Sequence, residues 1–348
     1  MNLSDFNFDL PEELIAQTPV PNREESRLMV VDRESGLIEH HRFPAFLQYL
    51  EDCPLVVMND TRVLPARLIG KYTDTGKAVE LVLVQETNQA TWQALVKGLA
   101  KIKQGQEFEF GTPEYPLKAI FHGIHEGLGI FRFETSGDLL TVLEKVGLPP
   151  LPPYIKRKER NPEQDRLDRE RYQTVFATAP GAIAAPTAGL HFSTELLEKV
   201  RSRSKTVSLT LHVGVGTFQP IRTEVVEDHE MHKEYYRVPV DTLNAVREAK
   251  ESGSKVLGVG TTTTRVLESL DMEGLPNRTA SGWTNRFIYP GQSFKVVDRL
   301  LTNFHLPRST LYLLVCAFGG KELMDRAYQE AIDQRYRFFS YGDAMLIM

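Results

Sequence analysis

The spacing of hydrophobic residues predicts a series of β-strands in the first half of the chain. From about residue 66, short apolar segments alternate with a period of two, and turn residues separate them at spacings of about 10–14 residues. This spacing is typical of an all-β unit, either a sandwich or a barrel. The six predicted strands are ARLIGKY, AVELVLVQ, TWQALVKGL, EFEFG, LKAIFHGI and LGIFRFE. A helix, DLLTVLEKVG, and a stiff proline-rich linker, GLPPLPPYI, follow this unit.

The segments on both sides of this unit alternate between strand and helix patterns. Strands are predicted at 27–32, 55–60, 206–213, 234–238, 255–259, 286–289 and 311–317, and the closing AMLIM is a further strand. Helices are predicted at 11–17, 43–50, 193–202, 241–252, 262–271 and 321–335. The apolar run LYLLVCAFGG fits a buried strand or a buried helix. We therefore predict a discontinuous α/β domain, residues 1–65 and 152–348, with an inserted all-β domain at residues 66–151.

The composition is that of an ordinary globular protein and does not by itself suggest a nucleic-acid partner. Hydrophobic residues make up 41% and charged residues 25% of the 348 positions, and the formal net charge is −5. An RNA contact would need a local basic patch. Two segments qualify, IKRKER and KVRSRSK, and their candidate phosphate-binding residues are Lys156, Arg157, Lys158, Arg201 and Arg203. A solvated charged face is the alternative for each segment.

The cysteines and the apolar runs indicate the compartment. Cys53 and Cys316 both lie in apolar surroundings, so a disulfide framework is not indicated and a reducing cytoplasm fits. No apolar run reaches roughly 18 residues, so we expect no membrane-spanning helix.

Two glycine-containing loops carry histidines. In AAPTAGLHFSTELLEKV, Pro186 and Gly189 bracket a tight loop before His191, which is a candidate acid/base group or a hydrogen-bonded structural histidine. In TLHVGVGTFQP, a predicted strand ends at His212 and enters a turn that contains Gly214, Gly216 and Thr217. Glycine allows a ligand to approach the backbone closely, although the third glycine of a dinucleotide fingerprint is missing.

A third histidine-rich stretch, EDHEMHKEYY, raises the question of a metal. His229, His232 and Glu234 do not form a His-Glu-x-x-His motif, and zinc would need further ligands. Acid/base or substrate contact is the favoured interpretation, and surface histidines are the alternative. The stretch VGTTTTR offers an anion cradle at a helix start, but it lacks the P-loop lysine.

Polar residues also lie beside several predicted strands and apolar runs. Ligands bind at strand ends in α/β sheets, so these residues are candidates for a binding site. They are Asn59, Thr61 and Arg62 after the second strand, Asn303 and His305 in TNFHLP, and Tyr341 and Asp343 before the closing strand.

These motifs, in this order, resemble the S-adenosylmethionine:tRNA ribosyltransferase-isomerase family of queuosine biosynthesis. The matching stretches are DFNFDLPEELIAQ, SRLMVVDR, NDTRVLPARL, LPPYI, RYQTVFA, AAPTAGLHF, LHVGVGTFQP, EDHEMH, VGTTTTRVLES, FIYPGQ, TNFHLP and YRFFSYGDAMLI. They extend from residue 5 to residue 347. Arg286 and Gln292, on either side of FIYPG, depart from the family pattern, which has an apolar residue before this stretch and an aromatic residue after it.

The resemblance implies a closed β-barrel inserted in an α/β domain, and a specific reaction. The ribosyl moiety of S-adenosylmethionine would move to 7-aminomethyl-7-deazaguanine at the wobble position of tRNA, and epoxyqueuosine would form as adenine and methionine leave. S-adenosylmethionine would be a co-substrate, with no prosthetic group and no metal. The resemblance also implies a monomer without membrane association.

The proton transfers of this reaction suit imidazoles, which titrate near neutral pH. We therefore expect catalytic roles for His191, His212, His229 and His232, with Glu234, Tyr341 and Asp343 as partners. The expected substrate-binding residues are Asn59, Thr61, Arg62, Pro186, Thr187, Gly189, Gly214, Gly216, Thr217, Asn303 and His305.

Two other functions remain as alternatives. A protein that binds tRNA without chemistry would explain the basic segments and the β-barrel, but not the many polar strand ends. A methyltransferase that uses the same donor would need a glycine-rich loop after its first strand, and RLMVVDRESG has none.

Overall fold

The computed structural model describes residues 1–157, 161–214, 221–272, 274 and 277–348. Within these residues we number seventeen strands and seven α-helices. The strands are β1 (Arg27–Val31), β2 (Ile38–Arg42), β3 (Leu55–Asn59), β4 (Thr61–Val63), β5 (Arg67–Tyr72), β6 (Ala78–Asn88), β7 (Thr91–Val96), β8 (Glu107–Gly111), β9 (Pro116–His125), β10 (Leu128–Thr135), β11 (Ala179–Ala182), β12 (Lys205–Leu211), β13 (Glu234–Val238), β14 (Val256–Val259), β15 (Ala280–Thr284), β16 (Arg299–Asn303) and β17 (Ala344–Ile347). The helices are α1 (Leu139–Val146), α2 (Pro162–Arg171), α3 (Thr194–Arg201), α4 (Val240–Glu251), α5 (Thr261–Leu267), α6 (Thr310–Gly319) and α7 (Lys321–Asp333).

The larger sheet has nine strands, in the order β15-β13-β12-β3-β14-β16-β17-β1-β2. Its centre, β12-β3-β14-β16, is parallel. Every residue of β3 and β14 is buried. Central parallel strands are covered on both faces, and this explains the continuous apolar runs LVVM and VLGV.

The carboxyl ends of the four central strands meet at one edge of this sheet. β17 runs antiparallel to β16 and pairs Ala344 with Asn303, so β17 begins at the same edge. β1 is parallel to β17, and its first residues lie there too. Residues that follow β12, β3, β14 and β16, or precede β17 and β1, are therefore gathered at this edge, which we call the carboxyl edge.

The six strands β5 to β10 close into a barrel in the order β10-β7-β6-β5-β8-β9. Inward-facing residues alternate along each strand and build a separate aromatic core around Phe108, Phe121 and Phe131. Helix α1 adds Leu139, Val142 and Leu143 to this core. The predicted fold class is confirmed, and the barrel resolves the choice between sandwich and barrel. The division at residues 65/66 and 151/152 stays a prediction.

Two predicted strands are wrong. Residues 311–317 belong to helix α6, whose N-terminus is capped by the Ser309 hydroxyl at the amide of Tyr312. Seven of its ten residues are buried, so the sequence has no amphipathic period that distinguishes a helix from a strand. The strand predicted at 286–289 lies instead at β15, just before it, and pairs with β13.

Two helix predictions also need correction, and one helix was not predicted. Only Glu12–Leu14 of the segment 11–17 forms a turn of 3₁₀-helix, and residues 43–50 are a longer 3₁₀ segment rather than an α-helix. Helix α2 was not predicted, because its charged sequence carries almost no apolar stripe. Among the helices of the described residues, none is long and apolar enough to cross a membrane.

Candidate active site

A small, partly open pocket, which we call the chamber, lies at the carboxyl edge. Its volume is about 60 Å³. Most of its polar lining comes from the loop before α3, from the start of α5 and from the residues around the end of β16, and three further residues come from other segments. The lining includes Pro186, Thr187, Thr261, Thr262, Thr302, Asn303, His305, Ser340, Tyr154 and Tyr172. Four of these residues, Pro186, Thr187, Asn303 and His305, are site residues that the sequence predicts.

His191 lies next to this chamber and is almost completely buried. Its Nδ1 shares a hydrogen bond of 2.8 Å with the Ser26 hydroxyl, and its ring packs 5.0 Å from that of Phe43. Burial lowers the pKa of His191 to about 3, and the nearby Asn303 amide opposes that shift. Among the described residues, neither Nε2 of His191 nor Oδ1 of Asn303 makes a hydrogen bond of normal geometry. Buried polar atoms of this kind usually meet water or a ligand.

His305 is a second neutral imidazole in the chamber wall. Its Nε2 shares a hydrogen bond of 2.8 Å with the Thr302 hydroxyl, and burial lowers its pKa to about 3. Both buried imidazoles are therefore uncharged at pH 7.

A much larger cavity of about 980 Å³ opens between the barrel and the main sheet. We call it the cleft. The barrel wall includes Gln85, Glu86, Trp92, Gln93 and Glu126, and the opposite wall includes Gly181, His212, Gly214, His232, Lys233, Glu234, Tyr235 and Trp283. Val213 lines both the cleft and the chamber, so the two spaces adjoin.

His212 is held in the cleft wall by residues of two neighbouring strands. Its Nδ1 shares a 2.8 Å hydrogen bond with the hydroxyl of Thr61. Asn59 fixes the end of β12 beside the start of β4. Its amide donates to the carbonyl of Leu211, and its carbonyl accepts from the amides of Leu211 and Thr61. Burial lowers the pKa of His212, and Asp60 opposes that shift. His212 is thus a neutral, positioned imidazole that can accept a proton from a molecule in the cleft.

Glu234 forms a buried ion pair with Arg265 of α5, at 2.5 Å. Its second oxygen accepts from the backbone amide of Gly214, which fixes the start of the loop after β12. His232 is exposed at the cleft rim, and His229 packs edge-on against Phe287 outside both cavity linings. Burial lowers the pKa of His229, and His232 lowers it further.

Several predicted site residues have other partners. Arg62 pairs with Glu144 of α1 at the surface, and the Tyr341 hydroxyl donates to Asp168. Asp343 accepts from the backbone amides of Arg27 and Arg337, so it joins the chain segments that enter the carboxyl edge.

The remaining predicted residues lie away from the cavities or outside the described part of the chain. Gly189 allows the ring of Phe176 to pack where a Cβ would stand, 2.6 Å from its nearest atom. Gly216, Thr217 and Lys158 lie outside the described residues.

The basic segments are largely neutralised by neighbours. Lys156 pairs with Glu12, Arg157 with Asp168, and Arg201 with Glu198, while Arg203 donates to the carbonyl of Leu47. Their role in RNA binding stays a prediction.

The aromatic and cationic residues of the cleft were not predicted from the sequence; they are Trp92, Lys233, Tyr235 and Trp283. The signal for Tyr235 was its position in a predicted strand directly after the histidine-rich stretch. Trp283 had no such signal, because its strand was predicted too late in the chain. Within the part of the chain that the structure describes, no group of three or more His, Cys, Asp or Glu residues could hold a metal ion.

The fold and the site define an α/β protein with an inserted closed barrel and a binding site that runs from the barrel wall to the carboxyl edge. The chain belongs to the queuosine biosynthesis protein family, whose model matches residues 3–347. Proteins named S-adenosylmethionine:tRNA ribosyltransferase-isomerase are 48% identical in Halothermothrix orenii and 49% identical in Clostridium kluyveri, and each alignment covers 100% of both chains. The crystal structure of S-adenosylmethionine tRNA ribosyltransferase from Thermotoga maritima has 37% identity and a TM-score of 0.55, over 99% of this chain and 100% of that one. The resemblance identified from the motifs is confirmed.

Proposed function

We propose that the protein transfers and isomerises the ribosyl moiety of S-adenosylmethionine onto 7-aminomethyl-7-deazaguanine at the wobble position of tRNA. The products are epoxyqueuosine-tRNA, adenine and methionine. The observation that carries this proposal is the family match from residue 3 to residue 347, which includes every element around the carboxyl edge. Because tRNA is modified in the cytoplasm, we propose that compartment, and a monomer as the working form.

The two cavities suit two substrates that must meet. The chamber is too small for the whole donor, so it would take one polar group of S-adenosylmethionine against Asn303 and Thr302. The cleft has room for the rest of the donor and for a base turned out of the anticodon loop, since ligand sites commonly measure roughly 300–1,000 Å³. Val213 marks the place where the reacting atoms would meet.

The chemistry needs a base, and His212 is the best placed imidazole. The sulfonium of the donor acidifies the neighbouring C5′–H, and His212 would remove that proton while the Thr61 hydroxyl holds its other nitrogen. Adenine must gain a proton as it leaves, and the amine of the acceptor must be neutral to attack. His191 has a pKa of about 3 in the absence of ligand and is a weak proton donor at pH 7, so we propose that it positions Asn303 and the donor.

The test is release of adenine by the purified protein. With S-adenosylmethionine and tRNA that carries 7-aminomethyl-7-deazaguanine, we expect one adenine and one methionine for each modified tRNA. Matched reactions omit the tRNA or use the same tRNA with guanine at that position, and these should release none. Binding of tRNA without adenine release would support the binding protein instead, and S-adenosylhomocysteine as the product would support a methyltransferase.

A further inference from the structure

Three aromatic rings form a row across neighbouring strands on the cleft wall. His212 directly follows β12, Tyr235 lies opposite it on β13, and Trp283 lies opposite Tyr235 on β15. The His212 and Tyr235 rings are nearly parallel, with an interplanar angle of 19° and centroids 6.0 Å apart. The Tyr235 and Trp283 rings are 5.7 Å apart in an edge-on arrangement. We call these three residues the aromatic row.

The row runs from the interior to the solvent. His212 is half-buried, whereas Trp283 is 55% exposed and is the only large aromatic among the exposed hydrophobic residues of the described chain. Trp283 lies on the edge strand β15, so packing within the sheet does not account for its size. A large exposed aromatic that also lines a cavity is suited to a flat ligand that stacks on it.

The charges of the cleft orient such a ligand. Lys233 is exposed on the side of the aromatic row, and the described residues offer it no ion pair. Glu86 and Glu126 lie on the opposite, barrel wall. A phosphate would be attracted toward Lys233 and repelled from the barrel wall. Lys233 precedes Tyr235 by two positions, which is about 7 Å along an extended chain. A lysine side chain spans that distance, so its ammonium group can reach a phosphate beside the aromatic row.

We propose that Trp283 is the stacking platform for an unpaired base adjacent to the nucleotide that is modified. This inference rests on the proposed function, because it assumes that the target base lies near His212. The next base along the unpaired loop then lies farther out along the aromatic row, on Trp283, with its phosphate beside Lys233. Stacking of this kind is insensitive to sequence but requires a base that is free of its partner strand.

Fluorescence can test the contact without turnover. The chain has two tryptophans, so Trp92→Phe leaves Trp283 as the sole indole. We expect an anticodon stem-loop RNA with guanine at the wobble position to quench this fluorescence at saturation. A fully paired duplex of the same length is the control and should quench little. Equal quenching by both RNAs, or none by the stem-loop at a concentration where a filter assay shows binding, would overturn the proposal.

Steady-state kinetics provide a second measurement with Trp92 intact. Trp283→Leu removes the π-face but keeps an apolar side chain, and Trp283→Phe restores a smaller ring. Loss of one base stack should raise the KM for tRNA by roughly 5- to 100-fold in Trp283→Leu, with the KM for S-adenosylmethionine within about twofold of wild type. Trp283→Phe should recover most of this loss. The proposal fails if Trp283→Leu leaves the KM for tRNA unchanged, or if both KM values rise together.

The two measurements separate this inference from the proposed function. Stem-loop quenching together with no adenine release from wild type would keep the stacking role and reject the ribosyl transfer. Adenine release by wild type, together with an unchanged KM for tRNA in Trp283→Leu, would support the ribosyl transfer and reject the stacking role.

Discussion

The position of the His212 imidazole depends on a residue that has no side chain. Gly181 lies against the ring, and a Cβ built there would stand 2.7 Å from Cε1 and from Nε2 of His212. The φ angle of Gly181 is +150°, a conformation that residues with a side chain rarely adopt. Thr61 on one side and Gly181 on the other therefore keep the ring at the carboxyl edge.

Gly181→Ala should displace His212 from Thr61 and reduce turnover. We expect the kcat for adenine release to fall at least tenfold, because misplacement of a catalytic group by about 1 Å can cost roughly 10²-fold. Gly123→Ala is the matched control, since Gly123 has a φ of +135° and a Cβ added there would meet no atom within 4 Å. Equal activity of both variants would mean that His212 is not the base, or that its position is not critical.

The sequence predicted the carboxyl-edge residues better than it predicted their contacts. Asn59, His212 and Asn303 were found because each lies where a buried apolar run ends, and strand ends are visible in the hydrophobic pattern. The hydrogen bond between Tyr341 and Asp168 joins positions 173 residues apart, and no local pattern reports such a pair. The contact of Gly181 with His212 depends on the packing of the chain around β11 against the residues that follow β12, where the Ile183 amide donates to the Val213 carbonyl. The sequence does not show this contact either.

At the level of elements, an alternating pattern of burial made the barrel strands predictable. The barrel strands alternate between inward and outward residues, so all six were found near their observed positions. The prediction for α6 was wrong because this helix is buried on almost every side, and an apolar run without polar positions shows no helical period. The charged helix α2 was not predicted for the opposite reason, because its sequence has too few apolar positions to show a period.

Helix α5 and strand β13 are joined by the buried pair of Arg265 and Glu234. Both side chains are almost fully buried, with exposed fractions of 5% and 4%. Arg265 also donates to the carbonyl of Arg286, so it links α5 to the chain after β15 as well. The pair therefore fixes β13, which lines the cleft, against α5, whose first residues line the chamber.

Removal of one partner should destabilise the protein strongly. Arg265→Met leaves the Glu234 carboxylate buried without its cation, and such a loss costs about 3–5 kcal/mol in the free energy of unfolding. The double variant Arg265→Met with Glu234→Gln removes both charges and should lose less than the single variant. Urea denaturation monitored by far-ultraviolet circular dichroism measures both. A single variant that is as stable as the double variant would mean that the ion pair contributes little.

At the scale of the whole molecule, two buried imidazoles couple stability to pH. The folded-state pKa values of His191 and His305 are both about 3, against an ordinary value of 6.5. Between these values the unfolded chain binds two protons that the folded chain does not bind. The stability that arises from the neutral imidazoles is therefore fully present above about pH 6.5, and it is lost progressively as the pH falls from 6.5 toward 3.

The expected loss between pH 7 and pH 5 is about 2 kcal/mol for each imidazole in the free energy of unfolding. Urea denaturation at pH 7, 6 and 5 measures it. His305→Gln keeps an amide nitrogen for the Thr302 hydroxyl but cannot be protonated. The free energy of unfolding of this variant should therefore fall by about 2 kcal/mol less than that of wild type between pH 7 and pH 5, because one of the two buried imidazoles is gone. His122→Gln, on the exposed surface of the barrel, controls for the substitution itself. If His305→Gln and wild type lose the same stability between pH 7 and pH 5, His305 becomes protonated in the folded protein within this pH range, and the chamber admits more water than its contacts indicate.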